Sequence, residues 1–148
     1  MINHFRGQYN WLSNFYPAKV RYGKLVFPTV EHFYVAMKTH NRLIRIQISK
    51  MPAEDAGKVK KMGREIEIRD DWEDIKLSVM MYGLREKFYQ NTSLGDKLLA
   101  TGSENIVEGN YWNDTFWGVD LKQNPNIGEN HLGRLLMDVR KSLKDFRG

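Results

Sequence analysis

The stretch from Trp72 to about Gln90 is apolar on two sides at helical spacing, and no other feature constrains the fold as strongly. Trp72, Ile75, Val79 and Tyr82 make one stripe, and Leu77, Met80, Met81, Leu84 and Phe88 make another. Residues three and four apart share a helix face, so this segment needs partners on both sides. It reads as a central core helix, started by Asp70 or Asp71. The other segments supply the partners. Glu129 or Asn130 opens a last helix that ends near Phe146, with Leu132, Leu135, Leu136, Val139 and Leu143 as its core face. Lys141, Lys144 and Arg147 suit the negative end of its dipole. Leu94 to Thr101 reads as a short helix stopped by Gly102. Pro52 and Ala53 open another, running toward Ile68 with Gly57 and Gly63 inside it and a basic face of Lys58, Lys60, Lys61 and Arg64. Leu43 to Ser49 is basic and β-branched and takes no assignment. Val20 to Phe27 reads as a hairpin turning at Tyr22-Gly23-Lys24, and Ile106-Val107-Glu108 as a short extended segment. The expectation is a mainly α fold: a single compact multihelical domain over 1–148 with a small N-terminal β-hairpin.

Bulk properties narrow the function. The 148 residues suffice for one domain with a real core, and a 41% hydrophobic share argues against disorder. A formal net charge of +5 favours anionic partners such as phosphates, nucleotides or nucleic acid. Aromatic residues make up 12%, enough to fill a core or to stack on planar ligands. Cysteine is absent, which excludes disulfides, thiolate chemistry and Cys-based zinc sites. Met1 to Arg6 is polar with no apolar run after it, and no segment has the length of a membrane span. A soluble, cytoplasmic protein is expected. His4, His32, His40 and His131 lack metal-binding spacing, so no metal site is expected. No Walker loop, dinucleotide-binding glycine pattern or G-x-S-x-G occurs.

Chemistry gathers in two irregular stretches and one helix start. Trp11 to Pro17 has rings and amides without a clean period, including Asn14 and Phe15. Asn110 to Asn130 repeats that composition with added acids and glycines. Between them lies Pro28-Thr29-Val30-Glu31-His32-Phe33-Tyr34-Val35-Ala36-Met37-Lys38. Thr29 is placed to cap a helix there, and Val30, Phe33, Tyr34 and Met37 make a buried stripe. Glu31 lies on the flank of that stripe, followed by Val35 and Lys38. An acid in a first turn serves the helix dipole, so local stabilisation is one explanation of Glu31. A catalytic carboxylate is the other. Glu31, Glu108, Asp114 and Glu129 stand beside rings or glycines, which suits cleavage of a glycosidic bond. A fixed anion stabilises an oxocarbenium-like transition state, and a carboxylate can orient the attacking water.

In order along the chain, Phe5-Arg6-Gly7, Trp11-Leu12-Ser13-Asn14-Phe15-Tyr16-Pro17, the Pro28–Lys38 stretch, Lys61-Met62-Gly63-Arg64 and Asp71-Trp72 resemble the NADAR, or YbiA-like, family. So do Leu84-Arg85-Glu86-Lys87-Phe88, Leu98 to Gly102, Ile106 to Glu108, Asp114-Thr115-Phe116-Trp117-Gly118 and Gly128 to Arg140. The resemblance implies a mainly helical domain and an N-glycosidase. One branch of the family hydrolyses ribosylamino pyrimidine phosphates of early riboflavin synthesis; another removes ADP-ribose from guanine in nucleic acid. It puts the family acid on Glu31, site tryptophans on Trp72 and Trp117, the D-x-x-W-G motif on Asp114, Trp117 and Gly118, and the S-N-F loop on Ser13, Asn14 and Phe15. Two positions depart from the family pattern. Val35 stands where glutamine is common, and the approach from Asp120 to Asn130 is longer and poorer in glycine.

The mechanism that follows from this resemblance is hydrolysis of a ribose C1–N bond. Glu31 would orient water or stabilise the sugar cation, and Asp114 would hold ribose hydroxyls or assist the water. Trp72, Trp117 and Phe15 would pack on base and sugar beside Gly118. Asn14 and Asn130 would hydrogen-bond them. Arg6, Lys61 and Arg64 would hold phosphate. No cofactor is expected, because water and a heterocyclic leaving group suffice. The partners are a phosphorylated ribosyl or ADP-ribosyl substrate, with nucleic acid as a modified substrate. The competing readings are a non-catalytic module that binds ADP-ribose or nucleic acid, and a small helical domain whose ring-rich loops are core.

Overall fold

Thr29 opens the helix around which the middle of the chain is built. In the computed structural model, which describes residues 1–148, Asn14–Asn91 form one unit and Met1–Ser13 with Thr92–Gly148 form another. They are called here the middle and terminal units. The expected class holds: the chain is mainly helical, with a small antiparallel hairpin.

In the middle unit, β1 (Val20–Tyr22) and β2 (Leu25–Phe27) pair antiparallel, Val20 opposite Phe27. Gly23 takes the positive φ of 59° that the turn between them requires. Helix α1 (Val30–Ala36) follows, and the Thr29 hydroxyl accepts from the His32 N–H at 3.1 Å as its cap. The Thr29 hydroxyl also meets His32 Nδ1 at 2.6 Å, and His32 Nε2 lies 3.2 Å from the Pro52 carbonyl. That network fits a neutral ring, donating from Nε2 and accepting at Nδ1. Burial holds the His32 pKa below its ordinary value. All seven residues of α1 are buried, so the stripe read from the sequence is in fact a helix enclosed on every side. It packs on α2 (Arg42–Ser49), α3 (Ala56–Met62) and α4 (Trp72–Gln90).

Three expectations change here. The unassigned 43–49 segment is helix α2: the Asn41 side chain accepts from the Leu43 and Ile44 N–H groups, and its cap outweighs the β-branched residues. The helix expected to run toward Ile68 ends at Met62. Gly63 follows, turns through Ile66 close on Lys61 and Met62, and only then does the chain run on until the Arg69 N–H reaches the Lys38 carbonyl at 2.8 Å. Helix α4 buries one main face, with Met80, Gly83, Leu84, Lys87 and Phe88, while Leu77 and Tyr82 are exposed. The fully enclosed element is α1. Gly83 lets the two helices approach: a β-carbon there would lie 3.1 Å from the Phe33 ring and 3.2 Å from Val30.

In the terminal unit, a 3-10 turn at Gly7–Leu12 precedes α5 (Thr92–Ala100), the two-residue parallel strands β3 (Gly109–Asn110) and β4 (Val119–Asp120), and α6 (His131–Arg147). Helix α5 packs on α6, and Arg147 pairs with Asp96 at 2.6 Å. Ile2 bridges to Ile106. The first N–H groups of a helix lack intrahelical partners. Here carbonyls of residues 115–118 supply them: Glu129 donates to Thr115, Asn130 to Gly118, His131 to Phe116 and Leu132 to Trp117, at 2.7 to 3.2 Å. No helix of the chain is long and apolar enough to cross a membrane.

Candidate active site

The first turn of α1 places Glu31 among groups that set its charge. The side chain is 8% exposed, and burial raises its carboxyl pKa above the ordinary 4.5. Lys60 of α3 and Lys38, just past the end of α1, pull it back down. The Glu31 N–H donates to the Asn14 carbonyl at 3.1 Å, which ties the irregular loop to the acid's own backbone. Asn14 Nδ2 reaches Met80 Sδ at 3.5 Å, while Asn14 Oδ1 is buried without a hydrogen-bond partner. An unmatched buried acceptor costs about 1–3 kcal/mol, and a substrate hydroxyl is the kind of donor that would offset it.

Rings and cations complete this group. Trp72 is 5% exposed and meets Tyr34 edge-to-face at 5.0 Å. The Lys38 ammonium lies 5.4 Å from the Tyr34 centroid and 6.0 Å from that of Trp72. Phe15 is 40% exposed, with the Lys60 ammonium 5.9 Å from its centroid. Trp72 is therefore a wall, and Phe15 the more open face. Arg64 and Lys76 are close enough to lower the Lys38 pKa further. Lys61 is exposed on α3, but the lysine that acts on Glu31 is its neighbour Lys60. Val35, where the family favours glutamine, is buried against Gly63, whose β-carbon would lie 3.2 Å away.

The middle unit thus gathers Asn14, Phe15, Glu31, Arg64 and Trp72 of the residues expected from sequence, and adds Lys38, Lys60 and Tyr34. Lys38 had a signal: seven residues beyond Glu31 is two helical turns, which restores the same face. Lys60 had none, because one cation in a basic run cannot be told from the next.

The terminal unit gathers Asp114, Trp117, Gly118 and Asn130 around Glu108 and Asn110. Asp114 Oδ1 accepts from the Phe116 and Trp117 N–H groups at 3.2 and 3.0 Å. Asn110 bonds both the N–H and the carbonyl of Asp114 and also reaches Glu108 at 2.9 Å. Asn130 sits in the left-handed region, φ 54°; its side chain accepts from the Glu108 N–H and donates to the Ile106 carbonyl. Trp117 packs edge-to-face on Phe116 at 4.8 Å. A β-carbon on Gly118 would run into Glu108 and Asn110. These residues hold the 106–118 backbone and α6 together. Arg6 is exposed, its guanidinium 5.9 Å from the Tyr111 centroid.

The NADAR domain family model matches residues 3–144. The chain belongs to the NADAR family. Among NADAR relatives, it is 39% identical to a riboflavin biosynthesis protein of Vibrio vulnificus over 93% of its own length, and spans 36% of that longer protein. It is 32% identical to an N-glycosidase of Nostoc punctiforme and 33% identical to the N-glycosidase YbiA of Escherichia coli, covering 88% and 82% of those proteins and 93% and 91% of itself. The solution structure of Escherichia coli YbiA superposes with a TM-score of 0.82 at 30% identity, over 99% of this chain and 89% of that one. The NADAR fold therefore extends across the chain, and both ring-rich regions lie within the matched segment.

Proposed function

We propose that this protein hydrolyses the C1–N bond of a phosphorylated ribosylamino pyrimidine, with Glu31 as the catalytic carboxylate. The chain is a hydrolase of N-glycosyl bonds, in keeping with its family and with the N-glycosidases it nearly spans. The observation that carries the residue assignment is the buried Glu31 with Lys38 and Lys60 acting on it. A helix acid serving only its dipole has no reason to be enclosed, because burial costs an ionised group free energy. An acid that must face a developing sugar cation gains from a dry, fixed setting. Its raised pKa brings it nearer neutrality, where a base that accepts a proton from water works best.

Within this reading, Glu31 orients the attacking water and stabilises the positive charge that builds at C1. Asn14 Oδ1 accepts from a ribose hydroxyl. Phe15 packs on the base or sugar, and Trp72 with Tyr34 walls the site. Lys60, Lys61 and Arg64 supply charge for the 5′ phosphate. Asp114, Trp117, Gly118 and Asn130 are assigned to holding their loop in shape, with Arg6 as a further cation in that unit. The riboflavin name of the Vibrio vulnificus relative favours the small-molecule substrate, and a cytoplasmic setting suits it.

A second reading is removal of ADP-ribose from guanine in nucleic acid, by the same bond cleavage. The net charge of +5 and the open Phe15 ring beside Lys60 favour it. Purified protein is to be incubated separately with the ribosylamino pyrimidine phosphate and with guanine-ADP-ribosylated DNA. Mass spectrometry then scans each for released base and sugar. Release from the pyrimidine alone supports the first reading, and release from DNA alone the second. Binding without release from either makes the protein a non-catalytic module.

A further inference from the structure

So far Lys38 has served only to act on the charge of Glu31, with no part of its own in the bond cleavage. It lies two residues past the end of α1, after Met37, and its N–H bonds the Val35 carbonyl at 3.0 Å, so a closing turn carries the chain on in the direction of the helix. Seven residues of helix bring it back to the face of Glu31 within about 20°, displaced by about 10 Å along the axis. Helical side chains lean toward the N-terminus, so its ammonium is carried back toward the acid. Two rings fix where it stops: Tyr34 at 5.4 Å and Trp72 at 6.0 Å. The result is a half-buried cation and a buried anion on one face of one helix, the acid at its start and the amine beyond its end.

Building on the N-glycosidase reading, we propose that Lys38 is a catalytic residue, the general acid that protonates the leaving nitrogen while Glu31 activates water. The step balances. Water oxygen bonds C1 and gives one proton to the Glu31 carboxylate. The C1–N bond breaks with its electron pair left on nitrogen, and the Lys38 ammonium gives that nitrogen a proton. The products are the free sugar hydroxyl and the free amine or base. Proton return from Glu31 to Lys38 through solvent resets the site, with one water consumed. A ribosylamine needs such an acid, since an amine anion is too basic to leave unaided.

The surroundings prepare Lys38 for this. Its own burial is the largest effect holding its pKa below the ordinary 10.5. Lys60 of α3, Arg64 beyond α3 and Lys76 of α4 push the same way, and Glu31 of α1 opposes them. Lys76 is itself paired to Glu73 at 2.7 Å. Glu31 is displaced upward and Lys38 downward, so acid and base approach each other in proton affinity. Activity requires Glu31 ionised and Lys38 protonated. It should fall at low pH through a value above 4.5, and at high pH through a value below 10.5.

The test uses purified full-length protein and two variants, Lys38→Met and Lys38→Arg. Arginine keeps the charge but does not give up a proton in this range. Single-turnover rates are measured across pH on whichever ribosyl substrate the wild type cleaves, and on the activated 4-nitrophenyl ribofuranoside 5′-phosphate, whose leaving group needs no proton. Circular dichroism confirms that the variants fold. The expected result is a loss of about 10²- to 10⁴-fold on the natural substrate in both variants, disappearance of the alkaline limb, and a loss under about tenfold on the activated substrate. Equal losses on both substrates, or an Arg variant that works at near wild-type rate, overturn the assignment: Lys38 is then a structural or phosphate-binding cation. If the wild type cleaves the natural substrates with a flat alkaline side, the assignment also fails while the N-glycosidase reading stands. A wild type that cleaves neither natural substrate overturns that reading and the Lys38 role with it.

Discussion

Two buried ionisable residues of the middle unit strain against solvation in opposite directions, and each sets a pH dependence. Glu31 binds its proton more tightly when folded than when unfolded. Its contribution to stability is fully present below the ordinary carboxyl pKa of 4.5 and is lost as pH rises through the raised folded value. At pH 8 the Glu31→Gln variant should therefore be more stable than wild type in urea unfolding, and the gain should vanish near pH 4. Lys87 of α4 is the opposite case. It is completely buried, close to the Tyr16 and Phe88 rings, and burial takes its pKa from 10.5 down to about 7. Its contribution is present above pH 10.5 and is lost as pH falls toward 7. Relative to Lys87→Met, wild-type stability should climb by about 3 kcal/mol between pH 7 and 10 in matched denaturant titrations. A parallel pair of stability curves would show that Lys87 keeps an ordinary lysine pKa in the folded state and contradict its depression by burial. Glu31 was legible in the sequence because one acid stands on the flank of an apolar helix start. The burial of Lys87 was not, since a lysine in Arg85-Glu86-Lys87 reads as solvent-facing until the fold shows which side of α4 the unit covers.

At the scale of elements, the glycines separate contacts that yield from contacts that do not. A methyl at Gly83 would press on the Phe33 ring and on Val30, both side chains, and alanine gains about 1 kcal/mol of helix propensity. Gly83→Ala should leave the melting temperature within a few degrees of wild type. A methyl at Gly118 would meet the Glu108 carbonyl as well as its carboxylate. Backbone cannot step aside, so Gly118→Ala should destabilise by more than about 2 kcal/mol and expose the 115–118 amides to hydrogen exchange. The hairpin, α5 and α6 were legible from the turn at Gly23, the stop at Gly102 and the leucine spacing of α6. The D-T-F-W-G segment was harder. Its rings, acid and glycine have the composition of a binding loop, yet in space its carbonyls receive the first N–H groups of α6 and Asp114 bonds its own turn. Composition does not distinguish a loop that binds a ligand from one that caps a helix.

For the whole molecule, NADAR membership and the N-glycosidase names of its relatives support the class of bond proposed, and the substrate is the open choice. Salt dependence separates the candidates. A nucleic-acid substrate held at 6–10 phosphates would lose about 10³- to 10⁵-fold in affinity between 50 and 200 mM salt, whereas a ribosylamino pyrimidine phosphate offers one phosphate. With a net charge of +5, the KM should rise less than about tenfold over that range for the small molecule. Family and fold class were readable because ordered motifs survive as sequence, and the same motifs singled out Glu31 as the acid to test. The partners of that acid were not, because Lys60, Tyr34 and Lys38 acquire their relation to Glu31 only when α1, α3 and α4 pack. The most direct measurement is the single-turnover rate of base release by Glu31→Gln, taken beside ligand affinity for the same variant. The prediction is a fall of at least about 10³-fold in rate, with affinity within a few-fold of wild type. Release at the wild-type rate would leave Glu31 as an acid that serves only its helix.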